Sequence, residues 1–450
     1  MIKKQFGSSL NKTLFSALIL LTITIIVSCS KGDSPAPATS SATISSVTSP
    51  AGTTSGPKNT VITISGTNFI TDLAKIQVKV NSKTCIVLSA TGTTITAQIP
   101  SACGTGIVEL FLDGVKYTGP VFTFVYTYTL VSLNNGQAGN VYGPIASAKF
   151  DEISGVSVDN NDNLYLGQYR YSKIRKVSTD STVTLFAGSG VSGFLDAPGS
   201  AAQFSGAEYS SYYNGILYVA DEDNNKIRKI DAAGNVTTLV SVNSSNLWGI
   251  KARPGGIYLT SEKGIMKFSY TGTLLWSIQS KPSTPSPTQN DLDGDTSVAR
   301  FAPYANIEVD SAEENVYFCN ANFSVTLNGH PACKLKKLNI PTHTITTIAG
   351  ANTGVEVNDG PALQATFNWL SDIKLDKAGT IWLADRSNNR IRILKDGVVS
   401  TIVGSTGGGD VDGDPSIAKL LMPTGFTFDS KGQWYITCWG NNKLKKLIVD

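Results

Sequence analysis

A repeated unit in the C-terminal part of the chain limits its fold more than any other feature. Ile216-Leu217-Tyr218-Val219-Ala220-Asp221 precedes Asn224-Asn225-Lys226-Ile227-Arg228-Lys229-Ile230, and Thr380-Ile381-Trp382-Leu383-Ala384-Asp385 precedes Asn388-Asn389-Arg390-Ile391-Arg392-Ile393. The pattern returns around Leu164-Tyr165-Leu166, Val316-Tyr317-Phe318 and Trp434-Tyr435-Ile436, and in a weaker form at Ile257-Tyr258-Leu259. Each copy is an alternating strand, a polar turn and a second alternating strand, which is a hairpin. A short apolar strand such as Gly155-Val156-Ser157-Val158 precedes each copy, and an outer strand such as Val236-Thr237-Thr238-Leu239 follows most of them. Four strands at a period of about 45 residues make one propeller blade. A single blade cannot bury both its faces, so the copies must stack, and radial stacking also protects the sheet edges.

The six copies predict six blades, and the ends of the array predict how it closes. The last copy stops at Val449-Asp450 without an outer strand, whereas Tyr128-Thr129-Leu130-Val131, ahead of the first copy, has the pattern of one. The N-terminal segment is therefore expected to complete the last blade. The hairpin pattern resembles NHL repeats. The links Asp359-Gly360-Pro361, Asp293-Gly294 and Asp412-Gly413, each followed by Ala and then Phe or Leu, support that resemblance. The link from Ser241 to Leu247 departs from this form.

Upstream, residues 42–126 hold further short strands. Thr60-Val61-Ile62-Thr63-Ile64-Ser65, Ile76-Gln77-Val78-Lys79-Val80 and Thr94-Ile95-Thr96-Ala97-Gln98-Ile99 all alternate with period two, with Gly66-Thr67-Asn68-Phe69 as a break. Seven or so strands at this spacing suggest a two-sheet sandwich. The residues resemble the IPT/TIG family of immunoglobulin-like domains, which implies a spacer or interaction module. The fold class is thus all-β: an immunoglobulin-like β-sandwich at 42–126, then a six-bladed β-propeller at 127–450 closed by an N-terminal strand.

The first residues point to export. Lys3 and Lys4 precede an apolar run from Leu14 to Val27 that is too short for a confident membrane span and has the shape of a secretory signal. Ile26-Val27-Ser28-Cys29 resembles a bacterial lipobox, which implies a signal peptide at 1–28 and lipidation of Cys29. Residues 29–41 are rich in Ser, Pro and Ala and read as a flexible tether. The expected location is the outer membrane, lipid-anchored, at the cell surface or its periplasmic face. An oxidising compartment allows the disulfides Cys85–Cys103 and Cys319–Cys333. A net charge of +3 with no basic stripe argues against nucleic acid.

Catalytic signatures are scarce. There are two histidines, His330 and His343, and they make neither a zinc site nor a triad. Asp291, Asp293 and Asp295, and again Asp410, Asp412 and Asp414, have the alternation of a calcium loop. Both runs fall where the repeat already requires Asp-Gly, so no cofactor is assigned and calcium is the alternative. Asp221 with Arg228, and Asp385 with Arg392, recur at equivalent positions, which favours a structural tie. The insertion Asn320–Ala332 reads as a hairpin extended past its usual turn.

Comparing the blades at the start of the innermost strand gives a candidate site. Where the repeat needs only small residues, this chain places Glu208, Tyr209, Trp248, Asn306 and Asp372. Aromatic faces beside carboxylates and amides suit a sugar or a peptide. The preferred function is a lipid-anchored binding protein for glycan, with protein as the second ligand class, either monomeric or part of an outer-membrane complex. The rivals are a propeller lyase or hydrolase using Glu208 or Asp372, and a structural scaffold.

Overall fold

The computed structural model describes residues 41–450 except 102, 281–290, 328–329 and 352–356. The expected signal peptide, Cys29 and the tether up to residue 40 lie outside the described residues, as do the side chains of 321–332, His330 among them. The described chain is all-β, and its helical pieces are three-residue 3-10 turns.

The first unit is a sandwich. One sheet orders Thr43–Thr48, Val61–Thr67, Thr94–Gln98 and Ile86–Ala90. The other orders Ser55–Gly56, Val115–Phe124, Gly106–Leu112, Ile76–Val80 and Lys83–Thr84. Alternation places Ile62, Ile64, Val78, Val80, Ile95, Leu110 and Phe122 between the sheets, where they are buried.

The second unit consists of six further sheets. Their innermost strands are Ile153–Val158, Ala207–Tyr213, Leu247–Arg253, Pro303–Val309, Leu370–Leu375 and Pro423–Phe428. Each packs against the next, and the sixth packs against the first, so the blades form a closed ring. The outermost strand of the sixth blade is Tyr128–Ser132, which runs antiparallel to Lys443–Val449 with Leu130 opposite Leu447. Hydrogen bonds between Thr127 and Asp450, 2.8 and 3.0 Å long, extend this pairing.

A buried basic side chain in the third strand fastens five of the blades. Arg392 bonds Asp385 of its own blade at 2.9 Å and Asp359 of the incoming link at 2.7 Å, and Asp359 also receives the backbone N–H of Thr401 in the outer strand. Arg228 does the same with Asp221 and Asp196, at 2.6 and 2.7 Å. Lys336 reaches Asp291 and Asp293, Lys445 reaches Asp410 and Asp412, and Arg175 reaches Asn140. The recurring pairs are therefore structural, holding the link and the strands of one blade together. The lysine ammonium groups sit where a calcium ion would have to bind, and among the described residues no acidic cluster is arranged for a metal. The third blade has Met266 at this position, opposite Leu259, and lacks the acidic link, which accounts for the irregular Ser241–Leu247 sequence.

The expected pairs Cys85–Cys103 and Cys319–Cys333 are buried, as is Cys438, and no bridge joins them in this structure. The members of each expected pair do influence one another, and Cys319 hydrogen-bonds Cys333. In the ladder, however, Cys319 faces Leu335 and Cys333 faces Ala321, so the two are diagonal neighbours. Burial, followed by the neighbouring Cys103, pushes the Cys85 thiol up to about 12, which disfavours the reactive thiolate.

Candidate binding site

Each innermost strand begins at one mouth of the ring and converges with its neighbours two or three residues later. At that point the first, third and sixth blades carry Gly155, Gly249 and Gly425, and the others carry Tyr209, Asn306 and Asp372. The glycines are required by close approach. A Cβ on Gly249 would lie 2.6 Å from the Asn306 Cα, and one on Gly425 would lie 2.5 Å from the Ser154 carbonyl oxygen. Tyr209 reaches across the axis, whereas Asn306 and Asp372 bond to adjacent blades. The Tyr209 hydroxyl donates to the Ser371 carbonyl of the opposite blade at 3.0 Å. The Asn306 amide donates to Asp372 at 2.8 Å, and its oxygen accepts the Ile250 and Ile307 backbone N–H groups. Asp372 also accepts from Lys374 and from the Ile373 and Phe426 backbone.

Tyr209, Asn306 and Asp372 thus form a buried waist, whereas they were expected at the rim. The repeat alternates between rim and axis at this point, and these three fall on the axis side. With Asp372 fully buried and so bonded, a reading as a carboxylate enzyme rests on Glu208 alone.

Glu208 and Trp248 remain at the rim, both half-buried. Four residues not singled out in the sequence join them. Trp248 meets Tyr304 edge to face with centroids 4.6 Å apart, and Tyr304 meets Trp369 at 5.7 Å. Arg386 lies over both Trp369 and Trp439, 4.5 and 4.9 Å from their centroids. These side chains come from the starts of innermost strands and from the turns after second strands, all at the same mouth. Trp369 occupies a left-handed backbone conformation, φ 58°, just ahead of its strand; Glu152, Asn246 and Met422 do the same in their blades. Gly206 takes this place in the second blade, showing the residue type the backbone favours. A tryptophan here is strained, and such strain is retained where a side chain is needed.

The acidic side of the mouth carries Glu208 and Glu222. Burial raises the Glu208 carboxyl, and the Arg386 charge opposes that shift. Burial, then the charges of Glu208 and Asp223, push Glu222 up to about 8. The hairpin Asn315–Leu327 with His330–Asn339 also rises at this mouth, and its returning strand pairs with Phe367–Asn368 beside Trp369. Aromatic faces, one guanidinium and two carboxyls therefore meet at one mouth of the ring. The rings can cover the CH faces of a sugar while the polar groups take hydroxyls.

No curated protein matches the chain. Among solved structures, a Bacteroides thetaiotaomicron protein of unknown function aligns with a TM-score of 0.64 at 19% identity, over 92% of this chain and 99% of that one. An auxiliary nutrient binding protein from Bacteroides ovatus aligns at 0.55 and 20% identity, over 91% of this chain and 98% of that one. Another auxiliary nutrient binding protein, from B. thetaiotaomicron, aligns at 0.54 and 18%, over 91% and 97%. At these identities the likeness is one of fold. Residues 42–128 match the family model of the IPT/TIG domain, so this part of the chain is an IPT/TIG domain.

Proposed function

We propose that the protein is a lipid-anchored binding protein of the cell envelope that grips a glycan at the aromatic mouth of its ring, with the IPT/TIG domain as spacer. The observation that carries this reading is the cluster of Trp248, Tyr304, Trp369 and Trp439 around Arg386. Stacked rings with a cation and carboxyls bind sugars through CH faces and hydroxyls together. The two similar structures described as auxiliary nutrient binding proteins agree with a role in nutrient capture. The anchor rests on the lipobox-like Ile26-Val27-Ser28-Cys29 and the tether behind it.

The test is a glycan array probed with the soluble chain from Ser30 onward. Binding to a family of glycans, lost in W248A and W369A and kept in E208Q, supports the proposal. Turnover of the bound glycan that stops in E208Q makes the protein an enzyme. An array without signal, combined with capture of a protein partner, overturns glycan as the ligand.

A further inference from the structure

The waist of Tyr209, Asn306 and Asp372 divides the axis of the ring. Beyond it, at the far ends of the innermost strands, lies a second cavity of about 540 Å³. Its chemistry differs from that of the aromatic mouth. Glu308, 1% exposed, accepts from Lys251 at 2.7 Å and from Arg253 at 2.7 Å. Lys374 stands next to them, held at 2.5 Å by Asp372 of the waist. Three buried or half-buried cations thus share two carboxylates.

The other acids lining this cavity keep their charge but direct their oxygens elsewhere. Asp310 accepts the backbone N–H of Glu314 and the side chain of Asn315, and Asp376 accepts the N–H groups of Ala378 and Thr380 and the indole of Trp382. Both carboxylates are turned into their own loops, and Lys377 adds a further positive charge at the edge. Burial pulls the Lys251 ammonium down to about 8; Glu308 opposes this, while Arg253 and Lys374 reinforce it. Despite its burial, Glu308 is held below the ordinary carboxylate range by the charges of Lys251, Arg253 and Lys374. The positive excess is local to the three cations that share Glu308 and Asp372. Hydroxyls line the opposite wall. Ser157 and Ser210 share a hydrogen bond of 2.5 Å, and Ser211 accepts the Ala252 N–H at 3.0 Å and keeps its own proton to donate.

We propose that this second cavity binds a small hydroxylated carboxylate of the sugar-acid class. The ligand carboxylate meets the surplus positive charge at Lys251 and Arg253, and the ligand hydroxyls meet the serine wall. The cavity has the size of an ordinary small-molecule site. The waist separates it from the aromatic mouth, so each site can be tested without the other.

The experiment is calorimetric titration of the chain from Ser30 onward with D-glucuronate, with methyl β-D-glucoside as the neutral control. Glucuronate is expected to bind and the glucoside to remain silent. An anion beside Lys251 raises its pKa, so binding at about pH 8 should take up protons, seen as a heat that depends on the buffer, and the uptake should fade toward about pH 6. K251M should weaken glucuronate at least tenfold, about 1.4 kcal/mol. S211A, which keeps every charge, should weaken it several-fold and serves as the test if K251M lowers the melting temperature. W369A should leave it unchanged. The proposal is overturned by the absence of glucuronate binding, by equal binding of the glucoside in W369A, by a folded K251M or S211A of undiminished affinity, or by loss of glucuronate binding in W369A.

Discussion

Arg386 sits over Trp369 with its guanidinium carbon 4.5 Å from the ring centroid, and Trp369 holds that position in a left-handed conformation. Glycine would relieve about 1 kcal/mol of backbone strain there, which offsets part of the packing lost with the ring. W369G should therefore melt somewhat lower but stay folded, while glycan affinity falls at least tenfold. Thermal denaturation and array binding, measured together, check this. Undiminished affinity in a folded W369G would remove Trp369 from the site.

Glu222 makes the ring sensitive to pH. Its folded carboxyl is raised from 4.5 to about 8, so between these values the folded state holds a proton that the unfolded state has lost. Stability should fall as pH rises through that window. E222Q should flatten this part of a melting-temperature profile against pH, and a slope identical to that of the unmodified protein would refute the assignment.

The blade fastenings should behave as buried ion pairs. R392M leaves Asp385 and Asp359 without their cation, and Asp385 is fully buried, so the loss should be about 3–5 kcal/mol. Met266 fills the same position in the third blade, where no acid needs neutralising. Replacing Asp385 and Asp359 by apolar or amide residues together with R392M should recover much of the loss. Denaturant unfolding of the single and combined variants measures the difference.

Closure depends on the strand Tyr128–Ser132. Chains beginning at residue 127 and at residue 133 differ in whether Lys443–Val449 has a partner. The shorter chain should expose a bare sheet edge and associate with itself, while the longer stays monodisperse. Light scattering distinguishes the two outcomes.

The five described cysteines should titrate as five thiols after unfolding, and Cys85, whose thiol is held near 12, should resist modification in the folded state. A count of three or one on protein prepared under oxidising conditions would mean that one or both neighbouring pairs bridge.

The repeat made the blades and the closing strand legible because alternation and turn residues are local signals, and the missing outer strand after Val449 had a visible counterpart at Tyr128. The site was legible only in part. Comparing equivalent positions found Glu208 and Trp248, but that window began one residue too late for Trp369 and omitted the turns that supply Arg386 and Trp439. Tyr209, Asn306 and Asp372 stood out for the right reason, being large where the repeat is small. Their destination depends on the space left by Gly249 and Gly425 in adjacent blades, which no single repeat reveals. Lys336 and Lys445 were missed as fastenings because lysine in a strand is ordinarily a solvated residue.

Thr127 and Asp450, bonded to each other, are 323 residues apart in the chain. The first-made strand of the circle must therefore wait for the last-made one, and a nascent polypeptide holds neither a seam nor a finished hole. Assembly of the circle can end only after the strand Lys443–Val449 has been made.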